Sequence, residues 1–279
     1  IQFQRQQMLI ASVVAGIVLS SSALADTVTK KSTHWHSLTK FKKTAYTVST
    51  DFVRAGDNSQ KFELVSGACG RDEWGSDCKR NSERVERIYN KYQKPGKEYW
   101  YAWSIMLDSN TPWSMLEKSS VTLGQVKALG VHHPPWIFKM NDGQFYTNIH
   151  FIGDKPAGKI GKGDGEWCGY MGSTQMAKGK WMDIVVKADY SDKLKQGHSY
   201  LQIWLNGELR CDIKEPIVNK HTWADRYKNK GKRINFRYGI YNTKVDRVSF
   251  MPTRTVWYDE IKIGTSLEDV QINTNNPVD

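Results

Sequence analysis

Two stretches of the chain fold back on themselves legibly. In "WIFKMNDGQFYTNIHF" and "YLQIWLNGELRCDI", runs that alternate apolar and polar residues flank Asp142-Gly143 and Asn206-Gly207. An Asp-Gly or Asn-Gly pair accepts the left-handed backbone of a two-residue hairpin, and the alternation turns one side of each strand toward a core. The same alternation recurs in "YWYAWSIML", "WMDIVVKA", "INFRYGIYN" and "TVWYDEIKIG". Few stretches read as helix, and neither a strand-helix-strand rhythm nor a fixed-period repeat is visible. Antiparallel strands with such turns predict an all-β fold: a two-sheet antiparallel sandwich of jelly-roll or concanavalin-like type, one sheet curved into a concave substrate groove.

The groove is read from strands whose second face is unexpectedly polar. In "INFRYGIYN", Ile234, Phe236, Tyr238 and Ile240 share one side, while Asn235, Arg237, Gly239 and Tyr241 share the other. Glycine weakens a strand and often marks the close approach of a ligand or another backbone, so Gly239 singles this face out. Gln125 and Lys127 pair on one face of "VTLGQVKAL"; Tyr146, Asn148 and His150 do so in "FYTNIHF", and Arg84 and Glu86 in "SERVERIY" if it is extended. A single polar position of this kind is ordinarily a solvated one. Together they outline a polar surface across several strands.

The rest of the chain bounds what this surface serves. "MLIASVVAGIVLSSSALAD", with Arg5 upstream and a small-residue Ala-x-Ala ending, is expected to be an export leader over residues 1–25, cleaved after Ala25. Residues 26–43 are polar and expected to be flexible; residues 44–279 are expected to form one domain. The protein is therefore expected in the periplasm or outside the cell. The formal charge of +11 favours a polyanionic partner without choosing among nucleic acid, lipid and acidic polysaccharide. Four cysteines in an exported chain suggest disulfides, with three possible connectivities. Cys69 with Cys78 closes the shortest loop, which leaves Cys168 with Cys211. A zinc site is the competing reading, but the paired C-x-x-C spacing is missing.

Taken in order, "VRAGDNSQKFELVSGACG", "DCKRNSERVE", "PGKEYWYAWSIMLD", "LGQVKAL", "GKWMDIVVKADYS", "LQIWLNG", "FRYGIYN" and "TVWYDEIKIG" resemble the heparin-lyase-I-like polysaccharide lyase family. The resemblance runs from about Phe52 to Val270. The Arg-x-Glu, Gln-x-basic and strand-tyrosine set is also similar to that of the jelly-roll alginate lyases.

What the resemblance implies is β-elimination at a uronic acid: the C5 proton leaves, the bond to O4 breaks, and an unsaturated sugar ends the new chain. The enolate-like intermediate gathers charge on a carboxylate that is already negative, so donors fixed around that carboxylate favour the transition state over the ground state. Arg84 and Gln125 match the family's neutralising residues, with Arg237 and Asn148 as helpers. Tyr241 matches its catalytic tyrosine, able to protonate O4 and, as phenolate, to take the C5 proton. A free phenol is neutral at physiological pH, so a tyrosine base needs cations beside it. Heparin and alginate lyases of this kind often carry histidine two residues after the glutamine, where this chain has Lys127. That leaves the base open among Tyr241, Lys127, and an imidazole from His132, His133 or His150, and it favours an unsulfated polyuronate over heparin.

The partner implied is an anionic polysaccharide, bound by a monomer with no nucleic acid or membrane involved; Tyr146, His150, His132 and His133 join Arg237 and Asn148 as expected binding residues. No cofactor or catalytic metal is required. Structural calcium, carried by some relatives, stays open, although no acidic loop has EF-hand spacing. The alternatives are a non-catalytic carbohydrate-binding protein and a glycoside hydrolase, the latter needing two carboxylates across the scissile bond.

Overall fold

Both two-residue turns form as the sequence requires, with φ of 53° and 68° at Asp142 and Gly143 and of 48° and 81° at Asn206 and Gly207. The computed structural model describes residues 26–27, 33–35, 37–38, 45–72, 75–89, 91–128, 134–150, 167–219 and 234–273. The expected leader, residues 1–25, lies outside the described residues. Within the segment expected to be flexible, three short strands pair with the rest of the chain: β1 (Asp26–Thr27), β2 (Thr33–Trp35) and β3 (Ser37–Leu38).

Two antiparallel sheets stack. The back sheet runs β16 (Glu208–Ile213), β15 (Leu201–Leu205), β14 (Met182–Asp189), β9 (Glu98–Leu107), β18 (Arg254–Gly264), β5 (Ser59–Leu64) and β4 (Tyr46–Ser49), with β1 beside β18. The front sheet runs β13 (Trp167–Ser173), β12 (Gln144–Ile149), β11 (Trp136–Asn141), β10 (Ser120–Ala128), β17 (Ile234–Thr243), β8 (Ser82–Tyr89) and β2. A small third sheet joins β3 to β6 (Gly70–Asp72) and β7 (Gly75–Ser76). The chain passes between the main sheets from β8 to β9 to β10 and again from β16 to β17 to β18, so sequence neighbours lie on opposite layers, as in a jelly roll.

The alternating apolar residues meet between the layers. Trp103 of β9 stacks on Trp136 of β11 at 6.5 Å between ring centroids, and Phe236 and Phe138 pack against Trp103 at 5.3 and 5.9 Å. Each such side chain, once buried, contributes about 1.5–3 kcal/mol. The disulfides pair Cys69 with Cys78 and Cys168 with Cys211. The second joins edge strand β13 of the front sheet to edge strand β16 of the back sheet, stapling the layers along one side.

Candidate active site

Two irregularities bend the front sheet where its polar residues gather. Between the pairs Thr122–Tyr241 and Gly124–Tyr238, β17 carries one more residue than β10; between Thr122–Lys139 and Gly124–Phe138, β10 carries one more than β11. Such bulges bend a strand and increase its twist. Leu123 and Gly124 consequently both face the core, where a Cβ on Gly124 would stand 3.0 Å from the Trp103 ring, and Thr122 and Gln125 both face outward. The Tyr258 hydroxyl, reaching from the back sheet, lies 2.8 Å from the carbonyl oxygens of both Leu123 and Gly239 and so anchors both bulges.

Gly239 owes its identity to the neighbouring backbone. Its φ is +124°, and a Cβ there would fall 2.3 Å from the carbonyl oxygen of Val85 and 2.9 Å from the Cα of Glu86. The close approach anticipated at this position is thus that of β8.

Register then assembles the face. Arg84 of β8 pairs with Tyr241 of β17, which pairs with Thr122 of β10, then Lys139 of β11 and Tyr146 of β12. The next outward-facing row runs from Arg237 through Gln125 to Ile137 and Asn148, and Lys127 sits opposite Asn235 one step further. Arg84, Gln125, Lys127, Arg237, Asn148, Tyr146 and Tyr241, scattered over 158 positions of sequence, therefore share one surface of one sheet. His150 follows the last residue of β12, and its backbone N–H donates to Pro135 at 3.4 Å. His132 and His133 lie outside the described residues.

Glu86 is the hub of this surface. It is fully buried; one carboxylate oxygen accepts from Gln125 Nε2 at 2.6 Å and the other from Arg84 at 3.3 Å. Burial raises its pKa above the usual carboxylate value, the Arg84 and Arg237 charges and the Gln125 hydrogen bond oppose that rise, and Asp77 adds to it. Asp77, also fully buried, accepts from Arg84 at 2.7 Å and from Arg80 at 2.6 Å. Arg84 is thus held by two acids, and its guanidinium carbon lies 3.9 Å from the centre of the Tyr241 ring. Arg84, expected from the sequence to neutralise substrate, thus stands against the face of the Tyr241 ring. The Gln125 amide has a second hydrogen beyond the one Glu86 accepts, and the half-buried Tyr241 hydroxyl has no hydrogen-bond partner among the described residues.

Two residues of the face were missed in the sequence. Lys139 stands with its ammonium 4.7 Å from the Tyr146 ring centre, and its pKa is lowered to about 8, first by burial and then by the Lys244 charge. Its signal was present in "WIFKMN", where Lys139 alternates against Trp136, Phe138 and Met140. Asp77 carried no comparable signal, because its role depends on a contact with Arg84 across a turn.

The arrangement offers amide and cationic donors around a phenol, which suits stabilising negative charge while moving a proton. A search of curated proteins finds no match. Solved structures of similar fold include the endo-β-1,4-glucuronan lyase of the fungus Trichoderma reesei, with a TM-score of 0.58 and 17% identity, covering 85% of this chain and 93% of that one. A variant of alginate lyase Aly36B bound to an alginate trisaccharide matches with a TM-score of 0.52 and 13% identity, over 84% and 88% of the two chains. The family 7 alginate lyase A1-II′, as a variant in complex with substrate, gives 0.51 and 11% over 84% and 85%. The family model described as "Polysaccharide lyase" matches residues 27–262, and the chain belongs to that family.

Proposed function

We propose that this lyase cleaves a uronic-acid-containing polysaccharide by β-elimination, with Tyr241 carrying the proton transfer. The observation that carries the reading is the meeting of Gln125, Arg84 and Tyr241 on adjacent strands, with the Arg84 guanidinium 3.9 Å from the phenol ring. The sugar's carboxylate accepts from the remaining Gln125 amide hydrogen and from Asn148, and Arg237 and Lys127 supply positive charge. Neutralised in this way, the carboxylate stabilises the charge that develops as the C5–H bond breaks. The electron pair forms the C4–C5 double bond, the C4–O4 bond breaks, and the proton passes to O4. Tyr241, entering the step as phenolate beside the Arg84 guanidinium, takes the proton from C5 and returns it to O4, both on the same side of the ring. Lys127, beside Asn235 and nearly buried, binds the anionic sugar.

The fold relatives named above act on glucuronan and alginate, so the unsulfated polyuronates are the first substrates to try. The hydrolase alternative lacks support from this face, where Glu86 and Asp77 are buried and committed to Arg84 and Gln125. Two disulfides are consistent with an oxidising compartment and with the leader expected at residues 1–25.

The test is incubation with a panel of glucuronan, polymannuronate, polyguluronate and glycosaminoglycans while following the ultraviolet absorbance of the unsaturated product. Tyr241→Phe should lower turnover by about 10² to 10⁴ while polymer affinity persists. Unchanged turnover in that variant removes Tyr241 from the chemistry; reducing ends without absorbance would replace elimination by hydrolysis.

A further inference from the structure

A cavity rimmed by cations adjoins the face that carries Tyr241. At the end of the front sheet where β10 begins and β11 and β17 end, Lys118, Ser120, Asn141, Tyr146, Lys244 and Arg247 line a cavity of about 580 Å³. Lys118, Lys244 and Arg247 are exposed and, among the described residues, none has a carboxylate partner. Elsewhere surface cations do find acids: Lys187 pairs with Glu98 at 3.1 Å, Lys214 with Asp212 at 2.7 Å and Lys195 with Asp189 at 3.4 Å. The carboxylate of the cavity wall, Glu117, is exposed and forms no ion pair with the three cations. Three unneutralised cations around a polar cavity attract an anion.

Register connects this cavity to the chemistry. Tyr146 is both part of its wall and the far member of the row Tyr241–Thr122–Lys139–Tyr146. Three strand intervals separate Tyr241 from Tyr146, about 14 Å at the usual spacing. A polymer lying along that row crosses the distance with more than one sugar ring, passing Lys139 on the way. Resting on the lyase reading above, we propose that this cavity holds the carboxylate of a uronate that is not the one cleaved, a distal subsite through which the enzyme prefers long polyanions to short ones.

The experiment uses Tyr241→Phe as the parent, so that substrate is bound and not consumed. Calorimetry would compare a disaccharide with a tetrasaccharide of β-1,4-linked glucuronate, and the same pair from polymannuronate, in the parent and in a Lys118→Gln/Arg247→Gln variant. The double change should weaken tetrasaccharide binding by about tenfold or more and leave the disaccharide nearly unaffected. A charge-matched control, Lys180→Gln/Lys193→Gln, changes the net charge without touching the cavity and should leave both affinities near the parent's. Tetrasaccharide affinity unchanged in the cavity variant overturns the subsite, as does an equal loss in the control. If the parent binds neither pair, glucuronate and mannuronate polymers fall as substrates and the subsite with them; if it binds both pairs but the wild type forms no unsaturated product, the elimination reading alone falls. Far-ultraviolet dichroism and melting of each variant establish that any loss of binding occurs in folded protein.

Discussion

The outer faces of the two sheets are written in the same alternating code and behave in opposite ways. On the back sheet, Lys187 meets Glu98 at 3.1 Å and Lys61 meets Glu63 at 3.6 Å, all partly exposed, while Trp100 and Trp204 stack beside them at 5.6 Å. On the front sheet, the outward positions include Arg84, Glu86, Gln125, Lys127, Asn235 and Arg237, none of these six more than 6% exposed. Around Lys187 and Lys61 the back face is an ordinary solvated surface whose charges are screened, and its buried Arg54 is paired with Asp183 at 2.7 Å. The front face holds charged groups away from water, which is costly unless each is paired or hydrogen-bonded. A surface that sustains this cost is organised for something other than solubility.

The contrast can be broken by matched substitutions. Glu86→Ala strips Gln125 and Arg84 of a shared acceptor and should cost about 3–5 kcal/mol of stability, read by chemical denaturation, together with most of the turnover. A cost under about 1 kcal/mol would mean the front face is as solvated as the back. Gly239→Ala places a methyl against the β8 backbone at a left-handed φ and should destabilise by more than about 1 kcal/mol in the same measurement.

The third test uses pH. Lys139, with its pKa lowered to about 8 by burial and by Lys244, is cationic below that pH and neutral above it. Oligouronate affinity should therefore fall as pH rises through about 8, by up to about fivefold for ~1 kcal/mol of lost attraction. Tyr146, whose ring faces the Lys139 ammonium, has its own pKa raised by burial and stays neutral through this window. Lys244→Gln removes the neighbouring like charge and should move the break upward, toward the ordinary lysine value; a break that stays in place would assign it to another group. The smallest effect is expected on the back sheet, where Glu98→Ala should change stability by less than about 1 kcal/mol and leave turnover intact.

Much of this was legible in the sequence because it depends on local rules. Alternation located β8 to β12 and β14 to β18, Asp142-Gly143 and Asn206-Gly207 marked their turns, and the pairing of Cys69 with Cys78 followed from the short loop between them. The outward direction of Arg84, Gln125 and Tyr241 was equally readable, since a period of two requires only a strand. What escaped was set by apposition between distant segments. Whether an outward face is wet or covered leaves no mark on periodicity, so the sequence placed Glu86 beside Arg84 without showing that it is fully buried. The shift that lets both Thr122 and Gln125 face outward needs the neighbouring strands for its definition. Gly239 was noticed for the right conformational reason, but the approaching partner, β8, appears only once β8 and β17 pair. The cavity between Lys118 and Arg247 draws its walls from four separated segments and has no linear signature.

The hydroxyl of Tyr258 reaches two main-chain oxygens from inside the sandwich, one two residues before Gln125 in β10 and one two residues before Tyr241 in β17. The separation between the amide and the phenol is thereby governed from the interior and through main-chain atoms, independent of the side chains on the outward face. On the lyase reading proposed above, substrate preference and reaction geometry are therefore set by different layers of the molecule: the outward side chains can change for a new sugar while the spacing of Gln125 and Tyr241 is kept.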